Sequence, residues 1–206
     1  MPPIFGTGAF IGDGLVATNK HVVAMFSKLW KPQNKHPEGW PVLCYYFHEV
    51  PGEGMMEIPI EVMGVFVPQK LKVKGYYYGP EIPDIAFVKV KVRGIPSLKV
   101  NSSGNDLTEG KEIATAGFPM GTEALMAPGY LHQFTPILQR GIISAVLPFR
   151  CSTPHAVMIN VMCQGGASGS PVFFPGSPEL VGVLYGSLVD RASGQTMPTN
   201  FSYRGC

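Results

Sequence analysis

The sequence predicts an all-β protein made of two barrels that share one cleft, and three observations lead there. The 25 glycines and 20 prolines are spread between apolar runs rather than gathered in one low-complexity block, which suits many short strands joined by turns. Several runs have the two-residue period of a strand: Val88, Val90 and Val92 alternate with Lys89 and Lys91, giving one buried face and one wet one. Strand-like runs also fall in two series of similar density. They lie on either side of 93–110, "RGIPSLKVNSSGNDLTEG", a Pro/Gly/Asn/Ser stretch that reads as the linker. The two units are accordingly 1–100 and 101–206.

In the first series, "GAFIGDGLVAT" is two apolar runs around Asp13-Gly14, a strong hairpin signal that delivers Asn19, Lys20 and His21 at the end of its second strand. "VVAMFSKLW" then allows a short helical turn, and "VLCYYFHEV", "MEIPIEVMGVFV" and "DIAFVKVKV" read as strands. In the second series the strands are "EIATAGF", "GIISAVL", "AVMINVM", "SPVFF" and "ELVGVLYGSLV", with a last one at "NFSY".

Bulk properties narrow the function. With 206 residues, 45% of them hydrophobic, the chain can bury a sizeable core. A net charge of +2 with 15% charged residues gives no field that argues for nucleic acid or an anionic membrane, so a partner would be read by shape and local contacts. Cys44, Cys151, Cys163 and Cys206 contain no CxxC pair, and His36, His48, His132 and His155 have no metal spacing, so neither a disulfide framework nor a metal or other cofactor is expected. The start "MPPIFGTGAF" lacks a basic segment followed by an apolar core, and no apolar run approaches a membrane span. The expectation is a soluble, cytoplasmic protein.

Three polar residues carry the chemistry. "QGGASGSPVF" sets glycines and two serines directly before an apolar strand, either as a mere turn or to aim backbone N–H groups at a reacting oxygen beside a nucleophilic serine. Peptide hydrolysis by a hydroxyl needs a base, a carboxylate to orient it and donors for the oxyanion. His21 ends a strand, a place where a histidine is often only structural. Of the four aspartates, Asp84 alone is followed at once by a buried strand, although an aspartate at a strand start is usually a turn or cap residue. Ser168 lies in "GGASGSP", and the chain order His, Asp, Ser is that of a known catalytic triad.

On these residues the chain resembles the trypsin-like serine peptidases of the chymotrypsin fold, above all HtrA-type and other bacterial trypsin-like peptidase domains. "GTGAFIGDGLVATNKHVV" is similar to the family's histidine motif, "PDIAFVKV" to its aspartate motif and "GASGSPVF" to its serine motif. "LTEGKEIATAGFPMG", "GIISAV" and "ELVGVLYGS" resemble later islands in the same order. The resemblance implies two six-stranded antiparallel β-barrels with the active site between them, His21 as general base and acid, Asp84 as its orienting partner and Ser168 as nucleophile. It implies an oxyanion hole at Gly166, Ala167 and Ser168, whose donors are the N–H groups of Gly166 and Ser168 with Ala167 forming the turn. Ser170 takes a supporting role. Substrate would meet Met162 and Cys163 at the pocket floor and Leu184, Tyr185, Gly186 and Ser187 on the cleft strand.

The chain also departs from the family pattern. Ala167 stands where digestive members carry an acid that pairs with a new N-terminal amine, so activation by that ion pair is closed to it. Gly165 adds freedom to the loop, and an uncharged pocket floor argues against Arg or Lys before the cut. The implied partner is a polypeptide substrate, with a regulatory protein partner left open. Alternatives are a catalytically silent peptide-binding module, an esterase or acyl transferase, and the protease domain of a larger regulated effector.

Overall fold

The structure is a computed structural model that describes residues 5–24, 42–69, 82–101, 106–119, 125–126, 130–131, 135–150, 155–189 and 196–204. It begins with a tight hairpin of β1 (Ala9–Gly12) and β2 (Leu15–Thr18). Asp13 and Gly14 both have positive φ, 49° and 69°, which a type I′ turn demands and which the Asp-Gly pair tolerates. α1 (Lys20–Ala24) follows at once. A long hairpin of β3 (Val42–Val50) and β4 (Gly54–Phe66) comes next, and β5 (Ala86–Val90) inserts between β2 and β4. The resulting five-stranded sheet has the order β1-β2-β5-β4-β3. Its inner face buries Ala86, Val88 and Val90 against Ile60 and, from α1, Val23, so the alternation in the sequence gives the face that it predicts.

The remaining elements are β6 (Lys99–Val100), β7 (Glu112–Gly117), β8 (Leu125–Met126), β9 (Tyr130–Leu131), β10 (Ile137–Leu147), β11 (Ala156–Ile159), β12 (Pro171–Phe173), β13 (Glu179–Val189) and β14 (Thr196–Arg204). Strand β12 pairs with both β7 and β13. The ring β12-β7-β10-β11-β14-β13 therefore closes on itself as a six-stranded barrel, with β6 added to β13 and β8-β9 as a separate pair. Ile113, Ile143, Val157, Ile159, Val172 and Leu184 fill its core, each contributing about 1.5–3 kcal/mol through burial.

The described strands thus resolve one closed six-stranded barrel. The first unit, expected as a second one, is a five-stranded sheet in which no pairing among the described residues joins β1 to β3. The stretch read as a linker also holds structure: β6 pairs in parallel with Glu179 and Leu180, while Leu98 N–H donates to Phe10 O at 2.9 Å. Parallel partners some 80 residues apart leave no local signature. Strand β10 starts before "GIISAVL" because Gly141 does not interrupt it; Asn160 Oδ1 occupies the space beside that glycine and accepts Ile142 N–H at 2.6 Å. The same asparagine ends β11 earlier than "AVMINVM" suggests.

Ala9 and Ala17 of the first sheet and Ile85, just before β5, pack on Leu180 and Val183 of β13, flanked by Phe87, Leu98 and Tyr185. This apolar seam presses the end of β2, and so α1, against the barrel.

The hairpin geometry yields a comparison. A Cβ at Gly14 would lie 2.7 Å from Val90 O, whereas Gly94, also at positive φ, has open space around it. Gly14→Ala should cost about 2–4 kcal/mol by chemical denaturation and Gly94→Ala about 1–2 kcal/mol. Equal costs would mean that close approach of β5 does not constrain the turn.

Candidate active site

His21 and Asp84 are brought together by the way α1 starts. Val23 N–H donates to Asn19 O at 3.3 Å, so Asn19 is the residue at which the helix begins. The Asn19 side chain does not cap its own helix. It is fully buried, and its Nδ2 donates to the Asp84 carbonyl at 2.8 Å. The cap comes instead from Asp84: Oδ1 accepts the His21 backbone N–H at 3.0 Å, and the Lys20 N–H adds a further bond. Unpaired N–H groups at a helix start need such acceptors.

The second carboxylate oxygen, Oδ2, lies 2.5 Å from His21 Nδ1. Partial burial pushes the Asp84 carboxyl up, but the bonds from the His21 ring and the backbone N–H groups outweigh it and hold the group below its ordinary value. Asp84 is therefore an acceptor only at neutral pH. Nδ1 must carry the proton, which leaves Nε2 as the acceptor of a neutral ring.

Two consecutive turns build the Ser168 loop. Ala167 N–H donates to Gln164 O, and Ser170 N–H donates to Ala167 O, each at 3.0 Å. Gly166 and Gly169, third in their respective turns, have φ of 91° and 88°, the mark of type II geometry. Among the described residues no backbone acceptor takes the N–H of Gly166 or Ser168. A Cβ on Gly6 would stand 2.6 Å from Val22 Cγ2 and 3.0 Å from Ser168 O. The loop with Ser168 and the helix with His21 therefore meet across a single glycine.

The other sequence-predicted residues have mixed surroundings. Ala167 is buried in the barrel core, and no acid stands in that position. Met162, expected at a pocket floor, is 66% exposed, its backbone pinned to the Gln139 amide by bonds of 2.9 and 3.0 Å. Cys163 packs against the core, and burial pushes its thiol up to about 12. Leu184, expected on the substrate strand, is only 1% exposed, and its backbone groups pair with Gly169 and Ser170 at 2.9 Å. It anchors the serine loop and has no face left for a substrate. Tyr185 is half-buried at the seam, while among the described residues nothing lies within 4 Å of where a Cβ on Gly186 would stand. Ser187 pairs with Asn200 in the β13-β14 ladder. Ser170 is buried, with Oγ turned toward Gly117. Among the described residues no cluster of three or more His, Cys, Asp and Glu could hold a metal ion, and no helix is long and apolar enough to cross a membrane.

Two residues of the site escape sequence reasoning: Asn19, and Thr7, whose hydroxyl reaches the serine loop from 159 residues away. The hydrophilic Asn19 between "VAT" and "HVV" is a weak signal of a buried polar tie. Thr7 lies within the quoted motif "GTGAFIGDGLVATNKHVV", but nothing in that motif marks its contact with the serine loop.

Comparison with known proteins sets this geometry in a family. Residues 6–183, a span that includes His21, Asp84 and Ser168, match the family model described as trypsin-like peptidase domain. A mouse protein, the peroxisomal leader peptide-processing protease, is 31% identical over 124 residues, covering 58% of this chain; the chain spans only 19% of that relative. Among solved structures, the HtrA-type protease AlgW with tripeptide is similar over 97% of this chain and 51% of its own, with a TM-score of 0.55 at 16% identity. The scabies mite inactivated protease paralogue S-I1 is similar over 96% of this chain and 81% of its own, with a TM-score of 0.56 at 17% identity. Human heparin binding protein gives 96% and 79%, with a TM-score of 0.55 at 14% identity. At these identities the structural likenesses speak for the chymotrypsin fold alone, and the sequence match over most of the chain supplies the family: the chain belongs to the trypsin-like peptidase domains.

Proposed function

We propose that the protein is a serine endopeptidase that cuts polypeptides through an acyl-enzyme, in a cleft between two barrels of the chymotrypsin type. The observation that carries this reading is the pair of hydrogen bonds from one histidine to one carboxylate, from both the ring and the backbone of His21 to Asp84. A helix cap alone would need only the backbone bond. The bond to Nδ1 fixes the ring tautomer, leaving Nε2 available as a base.

In the proposed reaction Ser168 Oγ attacks the substrate carbonyl carbon while its proton passes to His21 Nε2. The carbonyl oxygen takes up negative charge and is met by the N–H groups of Gly166 and Ser168, with Ala167 forming the turn between them. Collapse of this intermediate breaks the C–N bond, and the imidazolium returns its proton to the leaving amine. Water then repeats the sequence on the acyl ester, giving the acid and restoring Ser168. The open space beside Gly186 would let an extended peptide approach β13. Cys163, uncharged and packed against the core, disfavours a cation before the cut and favours an apolar or small residue there; strong cleavage after Arg would contradict that preference.

A silent peptide-binding module is the competing reading, since a protein named as inactivated has the same fold. It has no need of a doubly held histidine. An esterase or acyl transferase would use the same groups and is distinguished by comparing peptide with small-ester substrates. Because the chain spans 19% of its mouse relative, the reading extends to a catalytic part of a longer, regulated protein.

Four outcomes are expected. A fluorophosphonate should add once to the parent and not to Ser168→Ala, whose kcat should fall on the order of 10⁵-fold; an adduct that persists in the variant excludes Ser168 as nucleophile. Asp84→Asn should lower kcat about 10⁴-fold. The stability that this carboxylate contributes should be complete above its ordinary titration range and disappear as pH falls through the lower folded value. Denaturation curves of parent and Asp84→Asn should therefore converge in acid, and a constant gap would refute the linkage. Finally, Cys44, at about 11, and Cys163 should resist iodoacetamide at neutral pH with activity retained, as read by peptide mapping. Rapid loss of activity on alkylation at Cys163 would assign a thiol to the site.

A further inference from the structure

The serine loop carries the groups that must aim at a reacting oxygen, yet its own turns fix only part of it. Thr7, far away in sequence, supplies the rest. Its N–H donates to Ser168 O at 2.7 Å, and its Oγ1 donates to Gly166 O at 3.0 Å. The same hydroxyl accepts Phe118 N–H at 3.1 Å, so both of its roles are used. Thr7 is itself held, because Thr18 Oγ1, buried at the end of β2, donates to Thr7 O at 2.7 Å. Gly169 passes directly beneath that carbonyl, where a Cβ would meet both Thr7 O and Thr18 Oγ1.

These bonds act on particular peptide planes. The plane between Gly166 and Ala167 is gripped at both ends, its carbonyl by Thr7 Oγ1 and its N–H by Gln164 O. The plane between Ser168 and Gly169 is gripped at its carbonyl by Thr7 N–H and at its N–H by Leu184 O. Between them lies the plane that carries the Ser168 N–H, and just before them the one that carries the Gly166 N–H. A plane flanked by two fixed neighbours has little freedom to rotate. With no acid at Ala167, the loop draws its outside support from this threonine and from β13.

We propose that Thr7 is a positioning residue that holds the oxyanion loop in its donating form, tying the hairpin that leads to His21 to the loop that carries Ser168. The inference rests on the peptidase reading above and adds to it a residue that touches no reacting atom. Its hydroxyl acts through the Gly166 carbonyl, so its loss should matter more for the covalent step than for peptide binding.

The test compares Thr7→Val, which keeps the shape and loses the hydroxyl, with Thr7→Ser, which keeps it. Two quantities are read at a temperature where circular dichroism finds every variant folded: the fluorophosphonate labelling rate at Ser168, and amide hydrogen exchange over 164–170. Thr7→Val should slow labelling about tenfold or more, with the KM of any cleaved peptide little changed, and speed exchange at Ala167; Thr7→Ser should stay within about threefold of the parent in labelling. Labelling of Thr7→Val at the parent rate, or equal loss in both variants, would overturn the proposal. If the parent itself takes no label, the peptidase reading fails separately. Exchange then decides the clamp: faster exchange at Ala167 in Thr7→Val alone supports it, and unchanged exchange overturns it.

Discussion

Everything that the site requires depends on the apolar seam between the first sheet and the barrel. Ala9, Ala17 and Ile85 on one side and Leu180 and Val183 on the other are mostly small or β-branched, which lets the two backbones come close and fixes how they sit. His21 and Asp84 belong to the first side and Ser168 to the second. No local interaction could unite residues 21, 84 and 168. The seam holds β2 against β13, whose Leu184 pairs with the loop that carries Ser168, while Asp84 holds His21 directly.

Those polar bonds serve folding and chemistry at once. Asp84 satisfies the N–H groups at the start of α1, and for this alone the short helix needs it. The same carboxylate reaches the imidazole with its other oxygen. A helix that starts correctly therefore carries a histidine already oriented, and a lost cap would also be a lost orientation. Thr7 has the same economy on the other side, where one hydroxyl accepts the Phe118 N–H just past β7 and donates to a carbonyl in the serine loop.

What could be read from the sequence is what is local. Asp13-Gly14 announces its turn because only a few residues accept positive φ, and the Val/Lys alternation of β5 announces its buried face because strand periodicity is two. His21, Asp84 and Ser168 stood out together, because a histidine at a strand end, an aspartate opening a buried strand and a serine in a Gly-rich loop occur in one chain order and in three family-like motifs. What could not be read is set by distant partners. The parallel pairing of Lys99 and Val100, the continuity of β10 through Gly141 and the role of Thr7 all depend on residues tens of positions away. Met162 and Leu184 show the same limit in the pocket: position in a motif suggests substrate contact for both, yet one projects into solvent and the other is enclosed in the core.

The central claim is that His21, Asp84, Gly166 and Ser168 act on one carbonyl group. A crystal structure with a peptide boronate tests it most directly, because boron mimics the tetrahedral carbon of the reaction. The expected result is a bond from Ser168 Oγ to boron, one boron oxygen within hydrogen-bond distance of both the Gly166 and Ser168 N–H groups, and His21 Nε2 facing the other while Asp84 still holds Nδ1. A boronate that leaves Ser168 free, or an adduct whose oxygens face away from both N–H groups, would contradict it.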